Sequence, residues 1–105
     1  MGLFDIFKSV DINAKLQEAR AVEGAVLLDV RNADEFRQGH IPGSVNVPVD
    51  CIEKAADVIA AKDTPVYAYC LRGSRSKRAV AALKAMGYTN VCSIGGINKY
   101  KGEIE

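Results

Sequence analysis

Short apolar runs alternate with helix-like segments along this chain, and this alternation constrains its fold more than any other feature. The run over residues 26–30 has no polar alternation until its end, which is typical of a strand buried on both faces of a sheet. A second such run covers residues 66–69 and ends directly on Cys70. Strands buried on both faces belong to parallel sheets, because right-handed crossover helices cover both surfaces.

The periodicity of the remaining segments predicts the other elements of the fold. Helices are expected over residues 11–20, 32–38, 52–61 and 74–86, with a helical turn over 97–100, and strands over 44–47 and 91–94. The sequence therefore predicts an α/β fold with a mostly parallel, four- to five-stranded sheet and helices on both faces. At 105 residues we expect one domain over residues 1–105, with an N-terminal turn or tail over 1–10 and a C-terminal tail over 102–105.

The first ten residues do not have the pattern of a targeting segment. Their apolar run is interrupted by Asp5, no small-residue cleavage site follows, and Ile6 stands where a myristoylation signal has Ser or Thr. We expect Phe4 and Phe7 to dock on the body of the protein. No segment reaches the eighteen or so continuous apolar residues of a membrane span, so a cytoplasmic protein without membrane contact is predicted.

The chain has three cysteines, Cys51, Cys70 and Cys92, and no pair of them forms a CxxC motif. An odd number leaves at least one free thiol, which suits a reducing compartment, and the spacing predicts no metal site. Neither Cys51 nor Cys92 has neighbouring cations or a glycine loop. We interpret both as structural.

Cys70 lies between the end of a predicted strand and the start of the helix over 74–86. Unpaired backbone N–H groups and the macrodipole at a helix N-terminus favour negative charge, so the pKa of the Cys70 thiol should be lowered. Gly73 gives the intervening loop the freedom to turn its amides inward. The pattern predicts an activated cysteine nucleophile that is open to solvent.

Cations crowd the start of the same helix, where Arg72, Arg75, Lys77 and Arg78 follow the cysteine. The helix dipole disfavours cations there by about 0.3–1 kcal/mol each, so these residues are expected to face an anion. Residues 64–102 contain seven Lys or Arg and no Asp or Glu. This field should attract a small anionic substrate or an acidic protein partner, whereas the lack of interleaved aromatic residues argues against nucleic acid.

Three segments together resemble the motifs of rhodanese-like domains. Residues 27–31 (LLDVR), 35–36 (EF) and 39–48 (GHIPGSVNVP) match the N-terminal signature, residues 70–76 (CLRGSRS) match the active-site loop, and Gly87-Tyr88 with Gly95-Gly96 match the C-terminal segment. The resemblance covers roughly residues 12–101, nearly the whole chain, and both principal motifs occur in the correct order.

The resemblance implies a thiosulfate sulfurtransferase. Its catalytic Cys70 would take a sulfane sulfur from a small anionic donor and pass it to a thiol or cyanide, with no metal or organic cofactor. The residues implied to bind substrate through the loop are Leu71, Arg72, Gly73, Ser74 and Arg75.

Other signature residues are expected to support the site. Asp29 at a strand end would brace it, and Arg31 and Glu35 are spaced to pair across a strand-to-helix turn. We interpret His40 as a turn residue satisfied by the backbone and not as a general base. The tryptophans that many members carry after the Gly-Gly pair are absent, so the pocket wall must differ.

The sequence leaves two alternative functions open. Rhodanese-like domains also serve as binding modules without catalysis, although such modules typically lack the cysteine. Related domains act as phosphatases or arsenate reductases, with five residues between the cysteine and an arginine. Here four residues separate Cys70 from Arg75, which predicts a loop too tight for a tetrahedral oxyanion.

Overall fold

The computed structural model describes residues 11–105, so the predicted contacts of Phe4 and Phe7 lie outside the described residues. Over residues 11–105, four helices and four strands alternate along the chain, together with two 3₁₀ helices, Val49–Lys54 and Ile97–Lys99. The helices and strands are α1 (Ile12–Ala21), β1 (Val26–Asp29), α2 (Ala33–Gln38), β2 (Val45–Asn46), α3 (Ala55–Val58), β3 (Val66–Cys70), α4 (Ser74–Ala85) and β4 (Val91–Gly96).

The four strands form one sheet in the order β2-β1-β3-β4, and every pair is parallel. The prediction of a parallel α/β fold is therefore confirmed. Asp29 lies opposite Tyr69, and Cys70 lies opposite Gly96. Because the strands are parallel, their carboxyl ends meet at one edge of the sheet, which is where ligands bind in such folds.

The core has two layers, one on each face of the sheet. Strand β3 is buried over its full length, as the uninterrupted apolar run predicts. On one face Leu28 and Ala68 pack with Leu83 of α4, and on the other Tyr69 packs with Leu16 of α1. Because both faces of the sheet are buried, the edge on which Cys70 lies has a fixed position in the fold.

Local capping sets where the helices begin. Asp11 precedes α1, and its side chain accepts a hydrogen bond from the Asn13 amide at 3.0 Å. At the start of α2, Asn32 and Glu35 form a reciprocal capping box. The residue before α4 is Gly73 in a left-handed conformation, φ 110°, which gives this helix no side-chain cap.

The predicted helix over residues 52–61 is wrong in its type and bounds. The segment is a 3₁₀ helix over Val49–Lys54, with Cys51 in a non-helical conformation, followed by the single-turn helix α3. The Val49 amide donates to the Val30 carbonyl oxygen, which fixes the start of the segment. Ile52 of the 3₁₀ helix and Ala55 at the start of α3 are then both buried in the core.

The last residues of the chain are exposed, yet they contact the turn that contains Gly39 and His40. The backbone of Glu105 exchanges two hydrogen bonds with that of His40, at 3.1 and 2.8 Å. The side chain of Ile104 lies against Gly39. Across residues 11–105, no helix has the length and apolar character needed to cross a membrane.

Candidate active site

Cys70 is the last residue of β3, and the loop that follows folds back over its sulfur. The Sγ atom accepts hydrogen bonds from the backbone N–H of Gly73 at 3.0 Å and of Ser76 at 3.3 Å. The left-handed conformation of Gly73 turns the loop so that these amides point inward. Backbone donors therefore hold the sulfur atom at the N-terminus of α4.

A pair of serine hydroxyls extends this arrangement. The Ser76 Oγ lies 3.6 Å from the Cys70 Sγ and 2.7 Å from the Ser93 Oγ, and it donates to the Gly73 carbonyl oxygen at 3.0 Å. That carbonyl also accepts from the Lys77 amide at 3.2 Å, so it stays bonded when the Ser76 hydroxyl turns toward a thiolate. Ser76 lies within the loop motif, but the motif alone predicts no role for it. Ser93 lies on β4, and no neighbouring sequence pattern predicts that it contributes to the site.

These contacts set the acidity of Cys70. Burial alone would raise the pKa of the thiol, because it penalises the charged form. The hydroxyl and amide of Ser76 and the amides of Gly73 and Arg72 stabilise the thiolate, and they outweigh burial. The pKa of Cys70 therefore lies below its ordinary value, in the direction expected of a nucleophile.

The expectation that Cys70 is open to solvent is wrong, since the residue is only 1% exposed. The loop is clamped from β4 and the turn after it: the Asn98 amide donates to the Leu71 carbonyl oxygen at 3.1 Å. A Cβ atom on Gly96 would lie 2.2 Å from that same oxygen, so the approach is as close as glycine permits. With 1% of its surface exposed, Cys70 offers a reagent almost no direct access in this loop conformation. Surface cavities of about 380 and 440 Å³ flank α1, and no residue of the loop lines either one.

Arg75 fastens the other side of the loop through an ion pair. Its two terminal nitrogens contact the Glu35 carboxylate at 2.7 and 3.0 Å. This pair lowers the pKa of Glu35 to about 2. The structure thus joins the start of α4 to the start of α2, and the predicted Arg31–Glu35 pair is wrong.

Arg31 pairs with Asp29 instead. The Arg31 guanidinium contacts both Asp29 carboxylate oxygens, the shortest contact being 2.6 Å, and the Arg31 amide donates to the same side chain at 2.9 Å. Asp29 is fully buried and Arg31 is 5% exposed. A further guanidinium bond, to the Gly39 carbonyl oxygen at 2.8 Å, ties the following turn to the strand end. The buried pair therefore lies at the same sheet edge as Cys70.

The side chains of the remaining candidates lie outside this network. Arg72 and Ser74 are exposed on the loop, and Leu71 is half-buried. The His40 Nδ1 lies 2.9 Å from the Phe36 carbonyl oxygen, and its ring stacks on the Phe36 ring at 3.7 Å, so the interpretation as a backbone-satisfied turn residue fits. The three cysteines are free thiols.

Comparison with known proteins places this geometry in a family. Residues 11–103 match the family described as rhodanese-like domain. The YqhL protein of Bacillus subtilis is 39% identical over 82 residues, covering 77% of this chain and 64% of that protein. Thiosulfate sulfurtransferase GlpE of Pseudomonas savastanoi is 39% identical over 84 residues, covering 76% of each.

A solved structure supports the same relationship. A rhodanese from E. coli, solved with anions, superposes with a TM-score of 0.72 at 30% identity, covering 77% of this chain and 96% of that one. The chain spans between 25% and 64% of the length of the first curated relatives that it matches.

Proposed function

Because the chain belongs to the rhodanese-like family, we propose that it is a sulfurtransferase that carries a sulfane sulfur as a persulfide on Cys70. The observation that carries the proposal is the arrangement around Sγ, where two backbone amides and the Ser76 hydroxyl surround one sulfur atom. Donors fixed in this way stabilise a thiolate before reaction and an anionic persulfide after it. The relatives named thiosulfate sulfurtransferase support thiosulfate as the donor.

In the first half-reaction the Cys70 thiolate attacks the outer sulfur of thiosulfate. A new S–S bond forms to Sγ, the bond between the two thiosulfate sulfurs breaks, and its electron pair leaves with sulfite. The exposed Arg72 side chain attracts the dianion. The backbone amides of Leu71, Arg72, Gly73, Ser74 and Arg75 are proposed to hold the added sulfur.

In the second half-reaction an acceptor, a thiol or cyanide, attacks the outer sulfur of the persulfide. The S–S bond breaks and its electron pair returns to Sγ, which is again a thiolate held by the same amides. Each leaving group departs as an anion, so the residues need not supply a proton, and we propose that no metal or organic cofactor takes part.

The ion pairs around the loop hold it in this conformation. In this proposal Asp29 and Arg31 support the strand end, and Arg75 acts through its pair with Glu35 more than through contact with the donor. Since Cys70 is 1% exposed, donor binding must shift the loop to admit one sulfur atom. A single domain over residues 1–105 in the cytoplasm, where thiols stay reduced, suits this chemistry.

Thiosulfate-to-cyanide transfer tests the proposal. The wild type should form thiocyanate with ping-pong kinetics, and Cys70→Ala should be inactive while Cys92→Ala keeps its rate. Transfer by Cys70→Ala would refute the role of Cys70. A wild type that binds anions without transfer would point to a binding module, and turnover of phosphate esters at Cys70 would point to a phosphatase.

A further inference from the structure

Four exposed cations extend from the Cys70 loop along one side of α4. Arg72 lies on the loop, and Lys77, Arg78 and Lys84 follow on the helix. Lys77 and Lys84 are seven residues apart, which places them about 20° apart around the helix and about 10 Å apart along it. We call these four residues the basic face.

The cations of the basic face have no carboxylate within ion-pair distance in the part of the chain from residue 11 to 105. The two arginines that brace the site differ, since Arg31 and Arg75 each hold a carboxylate. The helix dipole also disfavours cations in the first turn of α4, where Lys77 lies. Ion pairing within the fold therefore does not account for the clustering of these cations on one helix, whereas an external anion would.

The size of the basic face excludes a small anion as its only ligand. Thiosulfate at Cys70 would contact the loop, and Lys84 lies about 15 Å further along the helix, ten residues beyond Ser74. Between the cations the helix exposes Ala81 and Ala85, whose small side chains leave a flat surface. Only an extended anionic surface would contact all four cations of the basic face at once.

We infer that the basic face docks an acidic protein whose cysteine thiol accepts the sulfur from Cys70. This inference rests on the proposed function and names the class of acceptor. The acceptor thiolate attacks the outer sulfur of the Cys70 persulfide, the S–S bond to Sγ breaks, and its electron pair stays on Cys70 as the thiolate. The acceptor leaves as a persulfide, so atoms and charge balance.

The required chemistry favours a protein over RNA. The acceptor needs a nucleophilic sulfur, which a protein supplies as cysteine and an unmodified RNA does not. Single-stranded nucleic acids also bind by stacking bases on aromatic side chains. The exposed side of α4 carries serine, alanine and cations only.

The rate of the second half-reaction directly measures the preference for an acidic acceptor. The protein is loaded with thiosulfate, freed of excess donor and mixed with three peptides of equal length, each with one cysteine and an acidic, neutral or basic sequence. We expect the acidic peptide to accept sulfur roughly tenfold or more faster than the neutral one at about 10 mM salt. The advantage should disappear at about 1 M salt, where charges are screened over about 3 Å.

Charge-reversal variants locate the effect. Lys77→Glu combined with Lys84→Glu should lose the acidic preference yet react with the neutral peptide at the wild-type rate. The matched control combines Lys54→Glu with Lys101→Glu, which makes the same change of net charge at exposed positions off α4. This control should keep most of the preference.

Three results would overturn the inference while the proposed function stands. They are equal rates for the three peptides, an acidic preference that survives in the Lys77/Lys84 variant, and a single-stranded RNA that competes at lower concentration than the acidic peptide. Failure of thiosulfate to load any sulfur refutes the proposed function itself, and the inference with it.

Discussion

Replacing Glu35 by Gln removes the charge of the ion pair that fastens the Cys70 loop and leaves the local helix start intact. Gln serves as well as Glu in a capping box, so the reciprocal bonds with Asn32 are kept. What is lost is the bidentate contact with the Arg75 guanidinium at 2.7 and 3.0 Å. The variant therefore isolates one interaction between α2 and α4.

The magnitude follows from the pKa of Glu35, which falls from its ordinary value of 4.5 to about 2. Each unit corresponds to about 1.36 kcal/mol, so the full shift is an upper bound of roughly 3 kcal/mol. The two side chains are 29% and 26% exposed, and solvent screening reduces this figure. We expect Glu35→Gln to lower the free energy of unfolding by about 1–2 kcal/mol at pH 7.

The pH dependence has a defined sign. A carboxylate whose folded pKa is depressed stabilises the fold fully above its unfolded pKa and loses that contribution as pH falls through the folded value. The difference between wild type and Glu35→Gln should therefore be constant near pH 7. By pH 3 it should shrink to about half or less.

Urea unfolding from pH 7 to pH 3 measures these differences. Asp34→Asn is the matched control, because Asp34 pairs with Arg37 on the same helix but their side chains are 78% and 68% exposed. It should change the free energy of unfolding by less than about 1 kcal/mol. A destabilisation by Glu35→Gln no larger than that by Asp34→Asn at pH 7, or an effect of the same size at pH 3, would show that the ion pair does not stabilise the fold.

Three further predictions concern the loop itself. Ser93→Ala removes the hydroxyl that orients Ser76, so the pH midpoint for iodoacetamide modification of Cys70 should rise; an unchanged midpoint contradicts the hydroxyl pair. Gly96→Ala places a Cβ 2.2 Å from the Leu71 carbonyl oxygen, so it should lower the free energy of unfolding by about 1–3 kcal/mol and abolish persulfide formation. Gly24→Ala, with no atom within 4 Å of the new Cβ, should keep the persulfide yield. Cys70 is 1% exposed, so the size of a reagent should limit its reaction with the thiol. The small iodoacetamide should modify Cys70, whereas a bulky maleimide should react far more slowly. Equal rates would show an open site.

The fold could be predicted because its signals are local. Uninterrupted apolar runs in β1 and β3 indicate strands buried on both faces, and the stop at Gly87 marks the end of α4. The position of Cys70 at a strand end before a helix follows from the same patterns. Each of these depends on residues that are close together in the sequence.

The parts that could not be predicted depend on contacts between distant residues. Arg75 and Glu35 are 40 residues apart, and spacing alone favoured Arg31 as the partner of Glu35. Asp29 takes Arg31 because both lie buried at the strand end, where a charge needs a partner. Cys70 is buried in the core cluster that also contains Val47 and Ile52, and the sequence does not place those residues against the strand end.

Intact-mass spectrometry of the protein after thiosulfate treatment detects the proposed persulfide on Cys70 directly. The wild type should gain the mass of one sulfur atom and lose it on addition of cyanide, whereas Cys70→Ser should gain none. A Cys70→Ser protein that still takes up the sulfur, or a wild type that takes up none, would contradict the account.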